Sequence, residues 1–131
     1  MAEVDWARLK KISLFEEISD EELQRFAVLA GEGSVHEGTE LVHQGDFAYE
    51  LFAIEEGSAE VRRDGEVVAE LGPGDVFGEI GVAEHELRNA SVVATSPVRL
   101  IWFSHWDVRR LRKAIPEADR RLAELIEQRR R

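Results

Sequence analysis

The chain has 131 residues, no cysteine and a formal net charge of −10. That length supports one domain with a modest core, and the missing cysteines exclude a disulfide framework and thiol catalysis. No apolar run is long enough for a membrane-crossing helix or a signal-peptide core, so the expectation is a cytoplasmic protein with no membrane partner. The charge is uneven: residues 1–103 hold 8 Lys/Arg against 22 Asp/Glu, while residues 104–131 hold 9 against 5. The acidic body argues against a nucleic-acid partner.

In chain order, Val4, Leu9 and Ile12 among charged residues predict a short helix over 4–12. Ser19 with Glu22 three positions on is a capping box, with Ile18 and Leu23 placed as a hydrophobic staple. The helix it opens is expected to reach about Leu29, with Leu23, Phe26, Ala27 and Ala30 on one face and Gly31 as its stop. From Glu32 to Phe103 short apolar runs recur between glycines. Strands are expected at 32–36, 40–43, 48–55, 58–63, 66–71, 89–95 and 97–103. Asp64-Gly65 reads as a tight hairpin turn. In the last strand Val98, Leu100 and Trp102 alternate with Arg99 and Ile101. Many short, evenly spaced strands predict a sandwich or barrel.

One stretch carries chemistry. Leu71-Gly72-Pro73-Gly74-Asp75 is a turn, and Phe77-Gly78-Glu79-Ile80-Gly81 follows. Phe77 and Ile80 are apolar anchors around a lone carboxylate. Glycines opening a short helix after Gly78 would aim N–H groups at an anion. Nine residues after Glu79 stands Arg88, whose planar donors suit phosphate oxygens, followed by Asn89-Ala90-Ser91. A carboxylate only accepts, which suits a sugar hydroxyl.

After Ser104 the period becomes helical. Trp106, Val108, Leu111 and Ile115 share a stripe that Pro116 ends. A last helix over about 117–130 places Ala118, Leu122, Leu125 and Ile126 on one side, with arginines elsewhere. Trp6, Trp102 and Trp106 read as core or helix-packing residues. The four histidines are scattered without metal-ligand spacing, and no catalytic constellation appears, so neither an enzyme nor a metal cofactor is expected.

Gly78-Glu79-Ile80-Gly81 with Arg88-Asn89-Ala90-Ser91 resembles the phosphate-binding cassette of cyclic-nucleotide-binding domains, and Leu-Phe-x-x-Ile-Ser-Asp-Glu-Glu-Leu resembles their usual entry. The resemblance implies a mainly β fold: an eight-stranded antiparallel β-roll, or jelly roll, over 31–103. N-terminal helices would fill 1–30, the cassette 74–91, and two C-terminal helices 104–131. It implies cyclic AMP or cyclic GMP as ligand, cyclic AMP by preference. Phe77, Gly78, Glu79, Ile80, Gly81, Arg88, Asn89, Ala90 and Ser91 would form the site, Arg88 at the cyclic phosphate and Glu79 at the ribose 2′-hydroxyl. Ligand binding would repack the C-terminal helices. Asn89 departs from the usual Ser, Thr or Ala, and Glu84-His85-Glu86 is acidic for a phosphate neighbour. Both favour the alternative of a ligand-free interaction module. A second alternative is the sensor part of a transcription regulator of the catabolite-activator type, without its DNA-binding domain. The terminal arginines read either as a solvated helix end or as a cap over the base. Output would pass to an effector protein or to a homodimer through 117–130, whose apolar positions permit packing.

Overall fold

The computed structural model of the protein describes residues 4–79 and 87–130. Helix α1 is a single turn, Trp6–Leu9, capped by Asp5, whose carboxylate accepts from the Ala7 N–H at 3.0 Å. The longer helix expected over 4–12 does not form. The Ile12 N–H bonds back only three residues, to Leu9, and the Ser13 N–H and hydroxyl both donate to the Gly74 carbonyl, at 3.0 and 3.1 Å. A partner sixty-one residues away thus draws the chain out of the helical ladder, and a 3₁₀ turn, Ser13–Phe15, buries Leu14 and Phe15.

Helix α2, Asp20–Ala27, starts where the sequence says, with the Ser19 hydroxyl accepting from the Glu22 N–H at 3.3 Å. Asp20, Glu21 and Glu22 in its first turn complement the helix dipole. It ends earlier than expected, through i→i−3 bonds from Leu29 and Ala30. Gly31 is not its stop. It opens the first strand, and a Cβ there would collide with the Trp102 indole. The glycine serves close approach rather than a left-handed turn.

Eight strands follow: β1 Gly31–Val35, β2 Glu40–Val42, β3 Glu50–Glu56, β4 Ala59–Arg63, β5 Glu66–Leu71, β6 Val76–Phe77, β7 Ser91–Ala94 and β8 Val98–Ser104. They form two four-stranded sheets, ordered β1-β8-β3-β6 and β2-β7-β4-β5, with every pairing antiparallel. This is the expected eight-stranded roll. The β4–β5 hairpin turns on Asp64 (φ 54°) and Gly65 (φ 85°), with Arg63 opposite Glu66; both positive φ values fit the type I′ turn that Asp-Gly favours. Strand β6 was not foreseen. Its two residues pair with Phe52 and Ala53 immediately after the Gly-Pro-Gly turn, too short a run for alternation to register.

Helix α3, His105–Ala114, is capped by Ser104, whose hydroxyl accepts from the Asp107 N–H at 3.2 Å. Pro116 holds Ile115 extended (φ −126°, ψ 95°) and opens helix α4, Pro116–Arg130. The first sheet has helices on one face and the second sheet on the other, so its central strands are buried on both. In β8, Val98 and Leu100 enter the core of the roll, while Ile101 and Phe103 pack under the helices. Ile101, placed by alternation on the polar side with Arg99, is therefore fully buried. Trp102 stacks over the two β1 glycines, but Trp106, expected in the packing, is 59% exposed. Ala118, Leu122 and Ile126 of α4 are buried in the chain's own helix-side core, each large side chain contributing ~1.5–3 kcal/mol. Among the described residues no helix is long and apolar enough to cross a membrane.

Candidate functional site

The turn at 72–75 is built from its own side chain and the neighbouring strand. The Gly72 N–H donates to the Asp75 carboxylate at 2.8 Å, and Gly74 N–H and Asp75 carbonyl pair with Ile54 at 2.8 and 2.9 Å. β6 then delivers Phe77, whose ring stacks on Phe52 at 5.2 Å. Gly78 follows at φ 85°, and a Cβ there would strike the Arg88 guanidinium. Only glycine meets both demands. Its carbonyl accepts from Arg88 Nη1 at 3.1 Å, while Nη2 donates to the Glu50 carbonyl at 2.9 Å.

Arg88 is 6% exposed. Two backbone carbonyls aim its guanidinium, and the Phe52 ring lies 6.0 Å away. Among the described residues its nearest carboxylate is Glu50, at 3.9 Å. Burial pulls the guanidinium below its ordinary pKa, against the opposing fields of Glu50, Glu79 and Asp46. A buried cation held mainly by neutral carbonyls gains from an incoming anion that supplies its countercharge.

Glu79 is 3% exposed. Its Oε2 lies 2.8 Å from Arg129 Nη1, but Nη1 donates to the Val76 carbonyl at 2.7 Å. The contact is an ion pair without hydrogen-bond geometry, so Oε2 receives no hydrogen bond from the described residues. A buried carboxylate oxygen without a donor is costly, and a ligand hydroxyl would relieve it.

Both groups line one cavity of about 520 Å³, within the ~300–1,000 Å³ of small-ligand sites. Phe77, Gly78, Glu79, Arg88, Asn89 and Ala90 all line it. Ser91 does not: it begins β7, and its hydroxyl accepts from the Gln44 N–H at 2.9 Å. Ile80, Gly81, Val82, the Glu84-His85-Glu86 loop and the short helix expected after Gly78 lie outside the described residues. The remaining wall is apolar, from Val42, Val61, Val68, Leu71 and Val92, with Arg63 and Glu70 on the β4–β5 hairpin. The cavity thus combines apolar side chains with charged ones of both signs.

A family model for the cyclic nucleotide-binding domain matches residues 32–114. The chain belongs to the cyclic nucleotide-binding domain family. The cyclic AMP-dependent protein kinase regulatory subunit of Schizosaccharomyces pombe is 39% identical over 67 residues, 50% of this chain and 16% of that protein. The catabolite activator protein of Thermus thermophilus superposes with a TM-score of 0.79 at 27% identity, covering 88% of this chain and 57% of that one. The regulatory subunit of a cyclic AMP-independent protein kinase A from Trypanosoma brucei gives 0.83 at 21%, covering 92% and 44%, a likeness of fold alone. The chain spans less than a third of the length of the curated relatives it matches. Among its described residues no three His, Asp or Glu side chains are grouped as a metal site.

Arg129, one of the terminal arginines read as a solvated helix end or a cap over the base, instead lines the cavity against Glu79. The signal was present: Leu122, Ile126 and Arg129 stand at i, i+4 and i+7, so an arginine at 129 continues the buried stripe of α4.

Proposed function

We propose that the chain is a sensor for a purine cyclic nucleotide, cyclic AMP in preference to cyclic GMP. The observation that carries this is the pair of buried, opposite charges on one cavity: among the described residues Arg88 is short of a strong countercharge and Glu79 short of a donor. The cyclic phosphate docks on Arg88, the ribose 2′-hydroxyl donates to Glu79, and the base lies along Val61, Val68 and Leu71. The preference for cyclic AMP is supported by the name of the S. pombe relative.

Signalling runs through α4. Arg129 contacts both the Glu79 carboxylate and the Val76 carbonyl, so a ribose at Glu79 perturbs the last turn of the chain's last described helix. The α4 stripe then repacks against the roll. Ligand shifts this balance only by its differential affinity for the two arrangements. Effector and oligomer remain part of the proposal: output passes to another protein or to a second copy through 117–130.

Calorimetric titration with cyclic AMP, cyclic GMP and 5′-AMP tests the reading. Saturable binding of a cyclic nucleotide, at least tenfold tighter than 5′-AMP, is expected. No heat and no thermal shift with any of the three would favour a ligand-free interaction module, a reading supported by Asn89 and the acidic Glu84-His85-Glu86 sequence.

A further inference from the structure

Outside the cavity, the solvent face of the domain carries a ladder of rings. Phe47, Tyr49, His105 and Trp106 follow one another at centroid separations of 6.3, 6.3 and 4.5 Å, and the Arg109 guanidinium lies 5.4 Å from the Trp106 ring. Phe47 is 72% exposed, Tyr49 56% and Trp106 59%. Isolated exposed apolar residues are ordinary, but a contiguous run of large ones marks an interaction surface. Trp, Tyr and Arg are the residues that most often carry binding energy at such surfaces.

The charge beside the ladder selects the partner. Trp106, Arg110 and Lys113 stand at i, i+4 and i+7, on one exposed face of α3. Helix α3 carries Arg109, Arg110, Arg112 and Lys113 against Asp107, on a chain whose net charge is −10. Arg110 reaches Asp107 only at 4.0 Å and is 72% exposed at its side chain, so its charge faces solvent. A second copy meeting this face about a two-fold axis would bring the two sets of cations together, which like-charge repulsion opposes. An anionic lipid surface would meet the acidic body as well as the ladder.

We infer that this ladder is a docking surface for an acidic segment of a different protein, one that lays an aromatic or aliphatic anchor on the exposed rings of Tyr49 and Trp106 and sets carboxylates against Arg110 and Lys113. The Phe47 end of the surface adjoins the backbone of Arg88. The Arg88 N–H donates to the Asp46 carbonyl at 2.8 Å, its carbonyl accepts from Gly45 at 2.9 Å, and Leu87 bridges Phe47. The loop bearing Phe47 and the segment bearing the guanidinium are one hydrogen-bonded unit.

The inference stands independently of the cyclic-nucleotide reading, and its test keeps the two apart. A displayed library of random peptides is selected on the full chain, and the selected peptides are titrated against the chain and its variants. Expected are sequences rich in Asp and Glu around an aromatic or aliphatic residue. Trp106→Ala, or Arg110→Glu combined with Lys113→Glu, should weaken them at least tenfold, with unfolding temperature and cyclic-nucleotide titration unchanged. The inference is overturned by four results: no enriched peptides, peptides without acidic bias, affinity indifferent to the substitutions, or a Trp106-dependent transfer of the chain to phosphatidylserine vesicles or to a dimer in sedimentation.

Discussion

Arg88 and Glu79 set the sharpest expectations at the scale of single residues. Arg88→Ala removes a desolvated donor set, and binding of the cyclic nucleotide should weaken by ~2–5 kcal/mol in calorimetry. Arg88→Lys should lose most of the binding too, because an ammonium cannot bridge the Gly78 and Glu50 carbonyls and still present a planar fork; unchanged affinity in either variant removes Arg88 from the site. Gly78→Ala should destabilise the fold by ~1–3 kcal/mol in urea titration, since alanine at φ 85° is strained and its methyl meets the guanidinium. These residue types and their spacing stood in the sequence. What it withheld was the partner of each: the carbonyl of Glu50, thirty-eight positions away, and the guanidinium of Arg129.

Among elements, α4 is the one whose behaviour the site should govern. Arg129→Ala removes the ion-pair partner of buried Glu79, and because Arg129 is itself part-exposed the cost should be ~1–3 kcal/mol, below that of breaking a fully buried pair. The same variant should exchange the amides of the last turns of α4 faster, and cyclic nucleotide should then alter their exchange less than in the parent chain. Equal ligand-induced protection in both would sever α4 from the cavity. Element existence was legible along the chain, because capping at Ser19, the Asp64-Gly65 turn and the stop at Pro116 are local codes. Element ends were less so. α1 is cut short by Gly74, a long-range competition that no local window contains, while α2 closes on the i→i−3 bonds of Leu29 and Ala30 before Gly31 enters β1 against Trp102.

For the whole molecule, layering decides stability. Ile101→Ala should cost ~2–5 kcal/mol, the range for deleting a large buried aliphatic. The N-terminal layer is tied down by Arg8, whose guanidinium donates to Glu55 at 2.6 and 2.7 Å and to Glu32 at 3.0 Å. Arg8 holds the Glu55 carboxyl below its ordinary value of 4.5, burial opposing. A depressed carboxyl contributes stability that is fully present above the unfolded-state value and lost as pH falls through the folded one. Chemical denaturation should therefore show stability declining on acidification below about 4.5, with a smaller decline in Glu55→Gln; an identical decline in both would clear this pair of the effect.

The sequence by itself determined most of the strands, the flanking helices and, through the spaced cassette motif, the resemblance that implied an eight-stranded roll, because turn chemistry, caps and that motif are written in nearby residues. Tertiary structure alone decided which charges share the cavity. It brought Arg129 beside Glu79, turned the Ser91 hydroxyl to Gln44, buried both faces of β8 and left Trp106 in solvent. The physical reason is that periodicity reports which side of an element is apolar, whereas the partner of a buried charge is set by where distant elements dock.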